Sequence, residues 1–212
     1  MTNEVVQVMQ SHYWGVGSEW LWAFGQFVVV ALTLCFIARQ VKLQTKQTQI
    51  ETMSHVVQAV CTIQERWHSE AMQRVRFDVC NRWNKDRKKF DEFDGACEHI
   101  ANFFEELGTF VKIGAIPKET MWDVQSWNIE YYWAILENGI AGNRKECEEP
   151  VYSDFEKLFR VMREISDAKG APSVDEASIS KFVEREIRAI KVCLELRSRA
   201  IIARNTGYSL GD

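Results

Sequence analysis

The side chains in this sequence best suited to chemistry are four histidines, six cysteines and the adjacent Glu105 and Glu106. His12, His55, His68 and His99 are scattered. None stands three or four residues from another histidine or beside a cysteine pair, the spacing that puts two zinc ligands on one helix face. Cysteines 35, 61, 80, 97, 147 and 193 contain no CxxC pair and no regular framework. Cys97 and His99 come nearest to a nucleophile and base, but residues two apart on a helix point to different faces. Glu105 and Glu106 with His99 would suit a carboxylate metal site in a bundle. That chemistry needs Glu-x-x-His pairs on two helices, and the sequence has only one, Glu65 with His68. The expected work of Glu105 or Glu106 is hydrogen bonding to a loop or to Trp N–H groups beneath it. A Gly-rich phosphate loop and an HExxH are missing, and the one GxSxG match, GYSLG over residues 207–211, has no strand pattern before it that would make it an elbow. The reading is a non-enzyme with no catalytic, cofactor-binding or metal-binding residues and no cofactor.

The dominant element is apolar. Trp20 to Ala38 (WLWAFGQFVVVALTLCFIA) carries no charge, and about 20 such residues cross a bilayer as a helix. Val28 to Leu32 is apolar on every side, where a core helix usually keeps a polar stripe. Gln26 and Thr33 are tolerable in lipid when bonded to backbone or a neighbour. Trp14, Trp20 and Trp22 suit the headgroup level at the leading end. A cleavable signal peptide fits poorly, because no Lys or Arg precedes the run and Phe36 is too large for the small-residue cleavage rule.

Charge then gives direction. Arg39, Lys42 and Lys46 follow the apolar run and no basic residue precedes it, which predicts a cytoplasmic C-terminal side. The expected location is a bacterial plasma membrane, single-pass, with residues 1–19 a short tail outside and the span over 20–38. Residues 39–89 carry 11 Lys/Arg against 5 Asp/Glu, and residues 90–212 carry 15 against 23. A basic membrane-proximal part beside an acidic distal part suits an anionic leaflet. Thiols in such a domain should be free, most of them buried.

The rest reads as all-α: one transmembrane helix followed by a cytosolic bundle of about five or six helices. Residues 39–67 contain no Gly or Pro and predict a stalk-like helix continuous with the bundle. Leu43, Ile50, Met53, Val57, Val60 and Trp67 keep a heptad beat, with Lys46 and Gln64 as polar interruptions, as a coiled coil would. From Val57 onward the same residues suit a bundle helix equally well. The bundle is expected over 68–204 and a frayed tail over 205–212. Met72, Val75 and Val79 extend helical spacing to Trp83, and Arg82 to Lys89 (RWNKDRKK) predicts a basic, solvated break. Asp94 is the expected N-cap of a helix bearing Ile100, Phe103, Phe104 and Leu107. Gly114 stops it and Pro117 starts the next, whose Trp122, Trp127, Tyr131, Tyr132 and Trp133 occupy more than one face and predict a central helix. Asn138 to Pro150 reads as a loop. Capping boxes at Ser153 with Glu156 and at Ser173 with Glu176 predict two further helices. The acidic helix after Pro117 excludes a phosphate-facing element, so no nucleic acid is expected.

The block FFEELGTFVKIGAIPKETMWDV (Phe103 to Val124), the aromatic helix after it and YSDFEKLF (Tyr152 to Phe159) resemble the bacterial domain-of-unknown-function family 4760. The likeness runs roughly from the anchor through Ile165. It implies a membrane-anchored helical protein without an established activity, and no catalytic residues come with it. Two functions follow as expectations. The first is a non-enzymatic interaction or scaffold protein, homo-oligomeric through the post-membrane helix, with the bilayer and a protein as partners. The second is an oligomerising effector that perturbs the bilayer in a stress or phage response.

Overall fold

The computed structural model describes residues 19–85, 93–146 and 151–206. All regular structure there is helical: α1 (Glu19–Trp67), α2 (Glu70–Lys85), α3 (Gly95–Lys112), α4 (Lys118–Glu146), α5 (Ser153–Ala168) and α6 (Glu176–Thr206). No strand occurs among the described residues. The chain divides into two compact units, Met1–His55 and Val56–Asp212.

In the first unit, α1 is long and apolar enough near the N-terminus to cross a membrane, and none of its apolar window is buried in protein. Its threonines bond back onto the helix itself. Thr33 Oγ1 donates to Val29 O at 2.7 Å, and Thr45, Thr48 and Thr52 each donate four residues back. Backbone carbonyls thus absorb the hydroxyls of the apolar run and of the Gln/Thr stretch after it.

The second unit is a bundle in which α3 and α4 both pack on α5, α2 packs on α6 and α3, and α4 also meets α3 and α6. The apolar side chains of α4 face inward on several sides. Ile129, Tyr132, Leu136 and Ile140 are buried, as are Tyr131, Trp133 and Ile135. The central role expected of this helix is what the structure shows. An aromatic cluster ties the layers together: Phe104 stacks on Phe155 of α5 at 4.9 Å between ring centres, and Tyr131 stacks on Phe182 of α6 at 4.7 Å. Such pairs add about 0.5–1.5 kcal/mol each beyond the area they bury.

Several local expectations hold. The Asp94 side chain accepts from the Ala96 and Cys97 N–H groups, so it is the N-cap of α3. Gly114 has φ +73°, the left-handed conformation that closes the α3–α4 turn. Others need correction. α2 does not break at Arg82 but continues to Lys85, because Trp83 is buried and Arg82 reaches Asp94 at 2.6 Å. Residues 86–89 of the expected basic break lie outside the described residues. Likewise α4 runs through Asn138 to Glu146, its Gly139 buried and Ile140 at 1 % exposure. Core contact there outweighs the helix cost of glycine, about 1 kcal/mol.

Neither capping box forms where expected. Residue Tyr152, in a left-handed conformation at φ 58°, precedes α5 without a side-chain cap, and Glu156 binds Arg144 and Arg160 instead. Before α6 the box sits two residues later. Asp175 Oδ1 accepts from Ser178 N at 2.7 Å, and Ser178 Oγ accepts from Asp175 N at 2.9 Å. Asp175 is the better acceptor, and the backbone hydrogen bond from Ser178 lowers its pKa.

At one crossing glycine is obligatory for a steric reason. A Cβ on Gly108 of α3 would stand 2.3 Å from Asp154 O at the start of α5. Gly108→Ala should therefore cost about 1–3 kcal/mol as an overpacked contact against backbone. At Gly114 nothing lies within 4 Å, so the strain of Gly114→Val is conformational, above about 1 kcal/mol. Denaturant unfolding of the detergent-solubilised chain, followed by near-UV circular dichroism, measures both. An unchanged midpoint for Gly108→Ala would show that this approach is not tight.

Candidate interaction surface

α1 presents two different surfaces on either side of His55. In the first unit Leu43, Ile50 and Met53 are 59 %, 70 % and 71 % exposed. In the second unit Val57 is still exposed, Ala59 and Val60 are half-buried, and Ile63 and Trp67 enter the core. The heptad row thus splits. Its early members have no covering side chains, and its last member, Trp67, is a core residue. Ile63 lies off the heptad beat and was invisible to it. The helical spacing Ile63–Trp67, one turn, is the signal that marks it.

Trp67 is the seat of a buried charge network. Arg76 of α2 lies with its guanidinium carbon 4.1 Å from the Trp67 ring centre and donates to Trp67 O at 2.9 Å. Its Nη2 pairs with Glu186 of α6 at 2.5 Å, both side chains nearly enclosed. Tyr132 of α4 donates its hydroxyl to Glu186 Oε1 at 3.3 Å and stands 3.6 Å from Cys80 Sγ. Burial opposes the Arg76 charge, but the acidic groups Tyr132 and Glu186 outweigh it and its pKa is raised. Burial drives Tyr132 well above its usual range and pushes the Cys80 thiol up to about 12. The arrangement locks helices together; it offers no nucleophile, since a protonated buried thiol is inert.

A second polar seam joins α3 to α5. Glu105 Oε2 accepts from Phe155 N at 2.7 Å, so a carboxylate of α3 caps the α5 helix that lacks a cap of its own. Asp154 binds Lys112 Nζ at 2.9 Å and accepts from Thr109 at 3.3 Å. The Lys112 hydrogen bond holds the Asp154 pKa below its ordinary value. Glu106 pairs with Arg66 at 2.7 Å. Glu105 is a hydrogen-bonding residue as expected, but its partner is the α5 backbone and neither a loop nor a Trp N–H group.

The remaining candidates stay apart. His55, His68 and His99 are exposed, and His12 lies outside the described residues. Cys97 is buried while His99 is exposed, so they do share no face. The cysteines are less buried than expected. Cys80 and Cys97 are enclosed, Cys35, Cys61 and Cys193 are exposed, and all five are free. Cys147 lies outside the described residues. No group of three or more His, Cys, Asp or Glu that would hold a metal ion occurs among the described residues.

Comparison with known proteins gives one result. The family described as a domain of unknown function (DUF4760) matches residues 22–162. No curated protein and no solved structure matches the chain. The matched stretch begins inside α1 and ends inside α5, so it includes the Gly108–Asp154 crossing and the Glu105 cap.

Two predictions follow from this geometry. Removing one member of a buried ion pair leaves the other uncompensated, so Glu186→Ala should destabilise the chain by about 3–5 kcal/mol. Arg76→Met with Glu186→Leu should recover most of that loss, and a double variant as unstable as the single would contradict it. Alkylation by iodoacetamide at pH 8 should modify Cys61 and Cys193 within minutes in a native chain. Cys80 and Cys97, whose thiols burial pushes to about 12 and about 11, should react only after unfolding. Peptide mass mapping reads the order, and early labelling of Cys80 would refute it.

Proposed function

The chain belongs to the family described as a domain of unknown function (DUF4760), and we propose that it is a membrane-anchored helical interaction protein without enzymatic activity. The observation that carries the reading is the row Leu43, Ile50 and Met53. It lies beyond the charge-free run, follows Arg39 and Lys42, and exposes more than half of each side chain. A bilayer covers the charge-free run, about 20 residues. The row after it needs a protein, and a second copy of this chain is the partner whose register matches. Anchors confine copies to a plane in a common orientation, which raises their effective concentration without adding a contact.

Orientation belongs to the same proposal. Arg39, Lys42 and Lys46 follow the run, and the positive-inside rule puts the bundle in the cytoplasm of a bacterium, beneath its plasma membrane. A further protein partner would bind the bundle. Nucleic acid is not a partner in this reading, given four acidic residues and one Lys over residues 118–137.

The test uses a chain whose Cys35, Cys61, Cys147 and Cys193 are alanine, leaving only enclosed thiols. In intact cells a membrane-impermeant maleimide should label Thr2→Cys and spare Lys118→Cys; the reverse labelling defeats the orientation. In oxidised membranes Ile50→Cys should give a disulfide-linked dimer, while Glu51→Cys, about 100° around the helix, should not. Equal crosslinking at both positions, or none, defeats the pairing. Depolarisation of overexpressing cells that disappears on deleting residues 1–38 would replace the scaffold reading with a bilayer-perturbing effector.

A further inference from the structure

A cavity of about 210 Å³ opens in the second unit where α4, α5 and the linker before α6 meet. Its walls are Trp122, Trp127 and Tyr131 of α4 and Pro172 and Val174 of the linker, and Glu130 and Ser166 also line it. Glu130 and Ser166 are buried, at 5 % and 3 % exposure. An engineered cavity of about 150 Å³ admits benzene, so this one has room for a single ring with a short chain.

The hydrogen bonds of the lining polar groups run in one direction. Trp122 Nε1 donates to Ser166 Oγ at 2.8 Å, and Ser166 in turn donates to Glu130 Oε1. Arg163 Nη1 donates to Glu130 Oε2 at 2.9 Å. Each carboxylate oxygen therefore has one partner and retains acceptor capacity, since an ionised carboxylate offers about four lone-pair sites. Every donor in this chain of bonds is already spent. What remains on Glu130 is acceptance alone, which favours a ligand that brings N–H or O–H groups, while the Ser126 hydroxyl, also on the lining, can accept or donate.

Charge narrows the choice. Arg163 bonds both Glu130 and Asp167, one cation shared between two carboxylates. The other nearby cations are engaged on ring faces. Lys169 Nζ lies 3.4 Å from the Trp122 ring centre and 3.7 Å from Asp123, and exposed Arg185 lies 5.5 Å from that of Trp127. Asp167 is exposed and screened like Arg185, so the selection rests on buried Glu130: its unspent acceptor sites suit an ammonium, and the aromatic walls suit an apolar body. A solvated cation such as Arg185 weakens this preference little, because water and salt screen it.

We propose that this cavity is a binding site for a small organic amine, with an aromatic or alkyl body between Trp122, Trp127 and Tyr131 and its ammonium on Glu130. The proposal is independent of the membrane reading. It gives the exposure of Trp127, 47 % on an otherwise enclosed aromatic helix, a purpose that core packing does not.

The probe is phenethylamine, titrated into the full chain in a non-ionic detergent. The chain carries 5-fluorotryptophan, with the Trp122 and Trp127 fluorine signals assigned through Trp→Phe variants. Saturable shifts of those two signals, with Trp67 and Trp133 unmoved, are the expected result. Phenethyl alcohol, the same body without the charge, should bind at least tenfold more weakly. Ser126→Phe, placed on the lining of the cavity, should abolish the shifts while the Trp67 and Trp133 signals certify the fold; Val174→Phe reads the same from the opposite wall should those signals move. Absence of saturation by phenethylamine overturns the proposal. So does equal binding of the alcohol, or shifts that survive a folded filling variant.

Discussion

A buried arginine is tolerable only where opposing charge and hydrogen bonds surround it, and Arg76 sets that condition for the second unit. Its guanidinium lies on the Trp67 ring, bonds the Trp67 carbonyl and pairs with Glu186. Planarity matters here: arginine stacks on a ring while donating in its own plane, which lysine does not. Three helices must arrive together for this to happen, α1 with Trp67, α2 with Arg76 and α6 with Glu186, and Tyr132 of α4 closes the group. An isolated pair of this kind adds little net stability, but each half without the other is strongly unfavourable. The network thus favours the one arrangement that satisfies all of its members.

The α3–α5 seam solves a different problem, the unsatisfied N–H groups at a helix start. Close approach comes first: Gly108 has no side chain, so the α5 start can lie against the α3 backbone. That proximity brings Glu105 within reach of Phe155 N and Lys112 within reach of Asp154. Removing the space would remove the cap as well. The left-handed Tyr152 suits the same geometry, since the chain turns sharply into α5 with its cap supplied by another helix.

These two polar arrangements divide the labour with the aromatic core. Stacked rings from α3, α4, α5 and α6 supply the apolar burial, while the charged groups select one packing among those the rings would accept. In α1 before His55, Val41, Leu43, Ile50 and Met53 are exposed and the threonines bond the helix's own backbone. A helix so built leaves its apolar contacts unmade, and lipid followed by another protein is the environment that we propose completes it.

What sequence alone determined was what depends on near neighbours in the chain. Helical periodicity, the charge-free run, the Asp94 cap and the Gly114 stop are set by residues within a turn or two of each other, and all were readable. The DUF4760 likeness was readable for the same reason, being carried by contiguous blocks such as Phe103 to Val124. Boundaries were lost where distant contacts overrode local signals. Asn138 to Glu146 looks like a loop until Ile140 meets the core, and Arg82 looks like a break until Asp94 claims it. Ser153 reads as a cap until Glu105 takes that role from another helix. The candidate cavity was the least legible part. Trp122, Trp127 and Tyr131 are visible as a helical aromatic stripe, but Ser166 and Val174 lie 35 or more residues downstream of Tyr131. Only the packing of α5 and the linker against α4 decides which aromatic faces are filled and which stay open, because close packing is settled by the summed shapes of side chains from several helices.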